Sequence, residues 1–144
     1  VGLAAPQVGV PLRIFVYSYE DDEGAPWRGV VIDPELWITS PEPGHPDPDD
    51  ESEGCLSFPG ERFPLRRADR AIVTGTDLEG APVRLEVDGW RARILQHEFD
   101  HLDGILYVDR IGDADAKTAA KIVRKRGWGV PGQSWMPGVD DLDA

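Results

Sequence analysis

The sequence predicts an α+β domain with a mostly antiparallel sheet, and three observations predict it. Residues 82–87 alternate strictly, with Val83, Leu85 and Val87 apolar between Arg84, Glu86 and Asp88, the period of a strand with one buried face. Residues 88–103 instead repeat apolar positions at helical spacing, through Ala92, Leu95, Phe99 and Leu102. Strand-like runs come first and helices late, which is the order of an α+β chain rather than of βαβ units. At 144 residues the chain is one domain, long enough to bury a core.

The elements follow in order. Residues 13–17 are Arg-Ile-Phe-Val-Tyr, a β-branched and aromatic run that reads as a strand. Residues 29–33 read as a second, closed by Pro34. Residues 40–52, rich in proline and aspartate, form an exposed loop that contains His45. Residues 71–76 and 82–87 make two further strands joined through Leu78, Glu79 and Gly80. Asp88 is suited to the N-cap of the 88–103 helix and Gly104 to its C′ position. Trp90 and Ile94 lie two turns and one turn ahead of Glu98 on a second apolar stripe, so most of the helix surface is apolar and the helix is expected to be buried. A short apolar run at 105–108 precedes a helix at 114–126. Residues 127–144 form an irregular tail rich in Gly, Pro and Trp that ends acidic.

Lys and Arg number 15 against 27 Asp and Glu, a formal net charge of −12, which argues against a general nucleic-acid or DNA binder. Acid gathers at 20–23, 47–53 and 140–143. The one basic cluster, Lys117, Lys121, Arg124, Lys125 and Arg126, reads first as a solvated helix face. There is no membrane-spanning apolar run and no signal-peptide pattern. One cysteine excludes an intrachain disulfide framework and suits a reducing compartment, so a cytoplasmic location is expected. The chain opens on Val-Gly-Leu inside functional-looking sequence, and a preceding segment is expected to be missing.

Residues 96–102, Gln-His-Glu-Phe-Asp-His-Leu, contain HExxH. On a helix, His97 and His101 project one turn apart from one face and can share an ion. Glu98, turned about 100° away, is placed to take a proton from water on that ion. As plain core residues, two histidines and a glutamate would be costly in so apolar a helix. A catalytic site of this kind needs a third protein ligand and one open position. The longer pattern HExxHxxGxxH matches through Gly104 but meets Tyr107 at its last position, and 115–130 contains no glutamate for a thermolysin-like ligand. Cys55 remains, in Glu-Gly-Cys-Leu-Ser, where the acidic loop gives way to ordered sequence. A lone cysteine often serves as a small buried hydrophobe, but a thiolate with two imidazoles makes a tetrahedral set with a vacant corner, suited to zinc or ferrous iron.

Three blocks in this order, Gly-Leu-Ala-Ala-Pro-Gln at 2–7, Glu-Gly-Cys-Leu-Ser at 53–57 and Gln-His-Glu-Phe-Asp-His at 96–101, resemble the signature motifs of peptide deformylases. The first begins one residue late, and the resemblance runs from residue 1 to about 126. It implies antiparallel sheets wrapped around a central HExxH helix, a catalytic domain over 1–126 and a tail over 127–144. It implies Cys55, His97 and His101 as metal ligands, Glu98 as acid/base, and Gln7 with the Leu56 N–H as oxyanion donors. Gly2 matches the glycine beside bound substrate, and Glu53 and Arg67 a structural ion pair. The implied reaction is removal of the formyl group from N-formylmethionyl nascent peptides, with ferrous iron the usual metal and zinc an alternative. Trp90 and Ile94 are candidates for the slot that takes the methionine side chain. The basic helix resembles the element by which some deformylases dock on the ribosome, although here it is short and followed by acid.

Two other readings are open to these residues. A zinc endopeptidase would use the same helix, and lacks here its third histidine. A non-catalytic metal-binding module would need neither Glu98 nor Gln7.

Overall fold

The structure, a computed structural model, describes residues 1–131. In chain order these form β1 (Gly2–Ala4), β2 (Ile14–Glu20), β3 (Pro26–Ile38), β4 (Ser52–Cys55), β5 (Phe58–Pro64), β6 (Arg70–Thr76) and β7 (Pro82–Asp88), then α1 (Gly89–Leu102) and α2 (Asp113–Arg126). Single 3-10 turns lie at Ala5–Val8 and Tyr107–Asp109. The expected α+β class with antiparallel pairing is what these residues adopt. The tail expected at 127–144 lies outside the described residues from 132 onward.

The chain divides into two compact units. The first is Val1–His45 with Arg66–Leu106. Its five strands pair antiparallel in the order β1-β2-β3-β6-β7, and α1 packs on them. Phe15, Tyr17, Val31 and Val73 from the strands meet Ala4, Ile94 and Leu95 in one buried cluster. Each large side chain fully buried there contributes about 1.5–3 kcal/mol of transfer free energy. Val83, Leu85 and Val87 pack against this cluster partly buried, so the alternation in β7 does mark its inward face.

Strand β3 departs from expectation: it runs through Pro34 rather than stopping there. Ile32 pairs with Thr76 and Glu35 with Thr74, so Asp33 and Pro34 together face Gly75. This is a β-bulge, where the missing N–H of proline breaks no ladder bond. Asp33 takes a left-handed φ of 50° to make it. Gly75 is required opposite, because a Cβ there would lie 2.7 Å from the Ile32 carbonyl oxygen and 2.7 Å from Val31 Cγ1.

The hairpin from β6 to β7 turns on Asp77, whose Oδ1 accepts from the N–H groups of Glu79 and Ala81, both at 2.9 Å. The loop after β3 is mostly exposed, His45 included, and Arg66 holds it through the His45 carbonyl at 2.8 Å.

The second unit is Pro46–Leu65 with the chain from Tyr107 onward. Here the β4–β5 hairpin and α2 bury Phe58, Phe63, Leu65, Tyr107, Ile111 and Ala119 together. Asp113 and Asp115 open α2, and Arg124, Lys125 and Arg126 close it. That polarity complements the helix dipole, so Arg124, Lys125 and Arg126 have a local structural role. Gly127, at φ 70°, ends the helix in the left-handed conformation.

Candidate active site

Helix α1 spans the expected segment, and its ends show how it is held. Asp88 occupies the N-cap with extended backbone, but its carboxylate makes no capping hydrogen bond. Instead the Gly89 N–H donates to the Asp69 carbonyl at 2.8 Å. At the other end Gly104, at φ 75°, donates to the His101 carbonyl at 3.2 Å, and Ile105 to the Asp100 carbonyl at 2.9 Å. Arg13 supplies a cation there, donating at 3.0 Å to the Leu102 carbonyl and at 3.0 Å to Asp103 Oδ1. A positive charge at a helix C-terminus is favourable.

Within α1, His97 and His101 bring their rings to a centroid separation of 4.9 Å, nearly perpendicular at 81°. His101 is buried and His97 partly so. Glu98 is 4% exposed. Its carboxylate lies against the backbone of Gly2: a Cβ built at residue 2 would fall 2.6 Å from Glu98 Cδ and closer still to Oε1. Strand β1, which was not legible as a strand in the sequence, fixes that backbone by pairing Gly2 with Tyr17, Leu3 with Val16 and Ala4 with Phe15.

Gln7 lies in the 3-10 turn that follows β1. Its Oε1 accepts from the Ala4 N–H at 2.8 Å. That bond uses the carbonyl end of the amide and fixes its orientation against β1.

Cys55 ends β4, pairs with Phe58 and is joined to it by the exposed two-residue turn Leu56–Ser57. The Ser57 N–H donates to Cys55 Sγ at 3.4 Å, which orients the sulfur within the turn. In the same unit, burial foremost, then the charges of Cys55 and Glu53, push the Tyr107 phenol well above its ordinary range.

One ligand atom from each of Cys55, His97 and His101 lies within 4.8 Å of the other two. Tetrahedral ligation at usual zinc–sulfur and zinc–nitrogen lengths sets donors about 3.3–3.6 Å apart. One sulfur and two imidazoles suit a borderline transition ion, not calcium or magnesium, which prefer oxygen donors. The residues fit the group.

The two candidates for the side-chain slot differ in setting. Ile94 is 4% exposed within the core cluster of the first unit, whereas Trp90 is 37% exposed with the Arg93 guanidinium 5.4 Å above its ring. Sequence reasoning missed Asp100 and Gln96. Asp100 accepts from Arg67 Nη1 at 2.7 Å in a buried ion pair, and Gln96 hydrogen-bonds the backbone of Ala68. Nothing in the local spacing marked them, since α1 also carries Arg91, Arg93, His97, Glu98 and His101.

A family model described as polypeptide deformylase matches residues 1–117. The chain belongs to the peptide deformylase family. It is 54% identical to the peptide deformylase of Mycobacterium sp. (strain JLS) over 142 residues, 97% of this chain and 72% of that protein. It is 53% identical to that of Rhodococcus opacus (strain B4) over 143 residues, 96% of this chain and 73% of the relative. Among solved structures, the peptide deformylase from Thermus thermophilus is similar at 40% identity and a TM-score of 0.70, covering 87% of this chain and 70% of that one. The family consists of metal-dependent hydrolases that remove the N-formyl group from nascent peptides, and this chain is an enzyme of that kind.

Proposed function

We propose that Cys55, His97 and His101 hold one divalent ion, ferrous iron physiologically with zinc as an alternative, and that Glu98 is the acid/base of formyl hydrolysis. The observation that carries this reading is the convergence of the three ligand atoms within 4.8 Å, two of them on the helix that also carries a buried carboxylate. An ion held there supplies Lewis acidity, which acidifies water and polarises the formyl carbonyl.

The chain's own residues do the rest. Glu98 accepts a proton from the attacking water and returns it to the departing amine nitrogen. The Gln7 NH2 and the Leu56 N–H donate to the formyl oxygen as charge collects on it, each worth about 2.7–4 kcal/mol in the transition state. Gly2, having no side chain, leaves room for the Glu98 carboxylate against its backbone, and the bound peptide runs beside that stretch of main chain. Trp90 and Ile94 form the wall for the methionine side chain. A formyl carbon carries only hydrogen, and a tight fit on that side rejects acetyl by steric exclusion.

On this reading residues 1–126 are the catalytic domain and 127–144 a tail. The site of action is the cytoplasm, where nascent chains are made, and the basic face of Lys117, Lys121, Arg124, Lys125 and Arg126 contacts the ribosome. No helix among the described residues is long and apolar enough to cross a membrane.

The test is hydrolysis of a formylmethionyl peptide before and after chelation, with ferrous iron or zinc restored separately. Glu98→Ala should keep its metal and lose roughly 10²–10⁴ of the rate. Cleavage of internal bonds in unblocked peptides, with the formyl group left in place, would overturn the assignment.

A further inference from the structure

Three residues of irregular chain, Arg67, Ala68 and Asp69, run beside α1 and bond to it at successive levels. The Asp69 carbonyl takes the Gly89 N–H at 2.8 Å. Ala68 makes two bonds to the Gln96 amide, its N–H to Oε1 at 3.1 Å and its carbonyl from Nε2 at 2.8 Å, while Nε2 also reaches the Ala92 carbonyl at 3.0 Å. Arg67 Nη1 donates to Asp100 Oδ2 at 2.7 Å. Gln96, Asp100 and Arg67 are all buried. Gln96 and Asp100 are four apart, on one face, and each stands immediately before a histidine of the HExxH pair.

We infer that Gln96 and Asp100 are positioning residues: anchored on the 67–69 segment, they set the rotation of α1 about its own axis and so aim His97 and His101 at a common ion. The inference rests on the metal reading above and adds to it what holds the two rings in phase. The angular argument is simple. Successive side chains are about 100° apart, so pinning residue 96 fixes the direction of residue 97, and pinning 100 fixes 101. Side-chain tips lie about 5–6 Å from a helix axis. A 20° rotation therefore carries a ring nitrogen about 2 Å, against a ligand tolerance of about 0.2 Å.

Apolar packing alone resists such rotation weakly. The hydrophobic cluster holds Ile94 and Leu95 on one side of α1, and aliphatic contacts have no preferred angle. The amide pair at Gln96 and the ion pair at Asp100 are directional. An alanine or a leucine at these two positions would have kept the helix buried without fixing its phase. The burial of an ion pair is itself a poor source of stability, which is consistent with a role in specifying geometry.

The test uses the full chain loaded with cobalt(II), whose visible ligand-field and thiolate charge-transfer bands report the coordination sphere. Gln96→Met keeps volume and removes the directional bonds. Asp100→Asn is the milder variant, because it keeps an acceptor oxygen for Arg67 and removes the charge. Both should shift the cobalt bands and speed metal loss to a chelator, by roughly 10–100-fold for Gln96→Met, and kcat should fall more than KM rises. Asp100→Asn should lie between Gln96→Met and the parent in all three. Variants with lowered melting temperature but parental cobalt bands and parental metal loss would show a merely structural role and overturn the inference. Should Gln96→Met fail to fold, Asp100→Asn alone decides it by the same bands. A parent chain that binds no cobalt through sulfur would instead overturn the metal reading itself, and the two failures are thereby told apart.

Discussion

Gly2 and Glu98 share a space that only one of them can fill: the Glu98 carboxylate occupies the position where a β-carbon on residue 2 would stand. Strand β1 holds the backbone of residue 2 by three antiparallel pairs with β2, so a carbon added there is met by movement of the Glu98 side chain rather than of the strand.

Gly2→Ala should therefore act on Glu98 rather than on metal content. Displacing a catalytic group by about 1 Å can cost on the order of 10² in rate, and a loss of that size in kcat is expected. Metal analysis alongside steady-state kinetics checks it. A variant of parental kcat would mean that the carboxylate can move aside at no cost to the chemistry.

Gly75→Ala tests the bulge in β3. The added carbon meets the Ile32 carbonyl oxygen at 2.7 Å, and a backbone carbonyl has no alternative rotamer. Overpacking of this kind costs about 1–3 kcal/mol. Urea unfolding should show it as a lower midpoint at unchanged slope. Because Gly75 is not among the glycines of positive φ, the penalty comes from the steric clash and not from backbone strain.

Tyr107 predicts an alkaline limb in stability. Its phenol, 1% exposed, is held protonated in the folded chain, while an unfolded tyrosine titrates near 10.0. The unfolded state thus releases its proton first. The contribution is complete below pH 10 and is lost as pH rises beyond it. Tyr107→Phe gives up the bond to the Glu61 carbonyl at 3.3 Å, a loss of about 0.5–1.5 kcal/mol at neutral pH. It should also flatten the decline above pH 10. Denaturant unfolding of both proteins at a series of alkaline pH values would reveal parallel curves if the phenol were unimportant.

How legible these features were varies with how local their causes are. Helix α1 announced itself because apolar spacing, Asp88 and Gly104 all lie within or beside its own span, and the β6–β7 hairpin because Val83, Leu85 and Val87 alternate beside an Asp77-to-Gly80 turn. Strands β1, β4 and β5 did not, since Gly-Leu-Ala, Ser-Glu-Gly-Cys and Phe-Pro-Gly have little intrinsic β preference. Their pairing partners create them. Pro34 misled for the opposite reason: a strong local breaker was overridden by the bulge that Gly75 permits. At the site, His97, Glu98, His101 and Cys55 could be singled out by residue type and spacing. Gln96 and Asp100 could not, because their partners lie 28 and 33 residues away along the chain.

The segment 67–69 also restricts how the gene can change length. Contacts at 89, 96 and 100 make the helix a ruler laid against a fixed scale. One codon gained or lost between 90 and 99 would turn every later side chain by about 100° and break the match, whereas the exposed stretch after β3 can grow or shrink without touching it. Variation in length among functional versions of this chain should accordingly collect in that stretch and be absent from the helix.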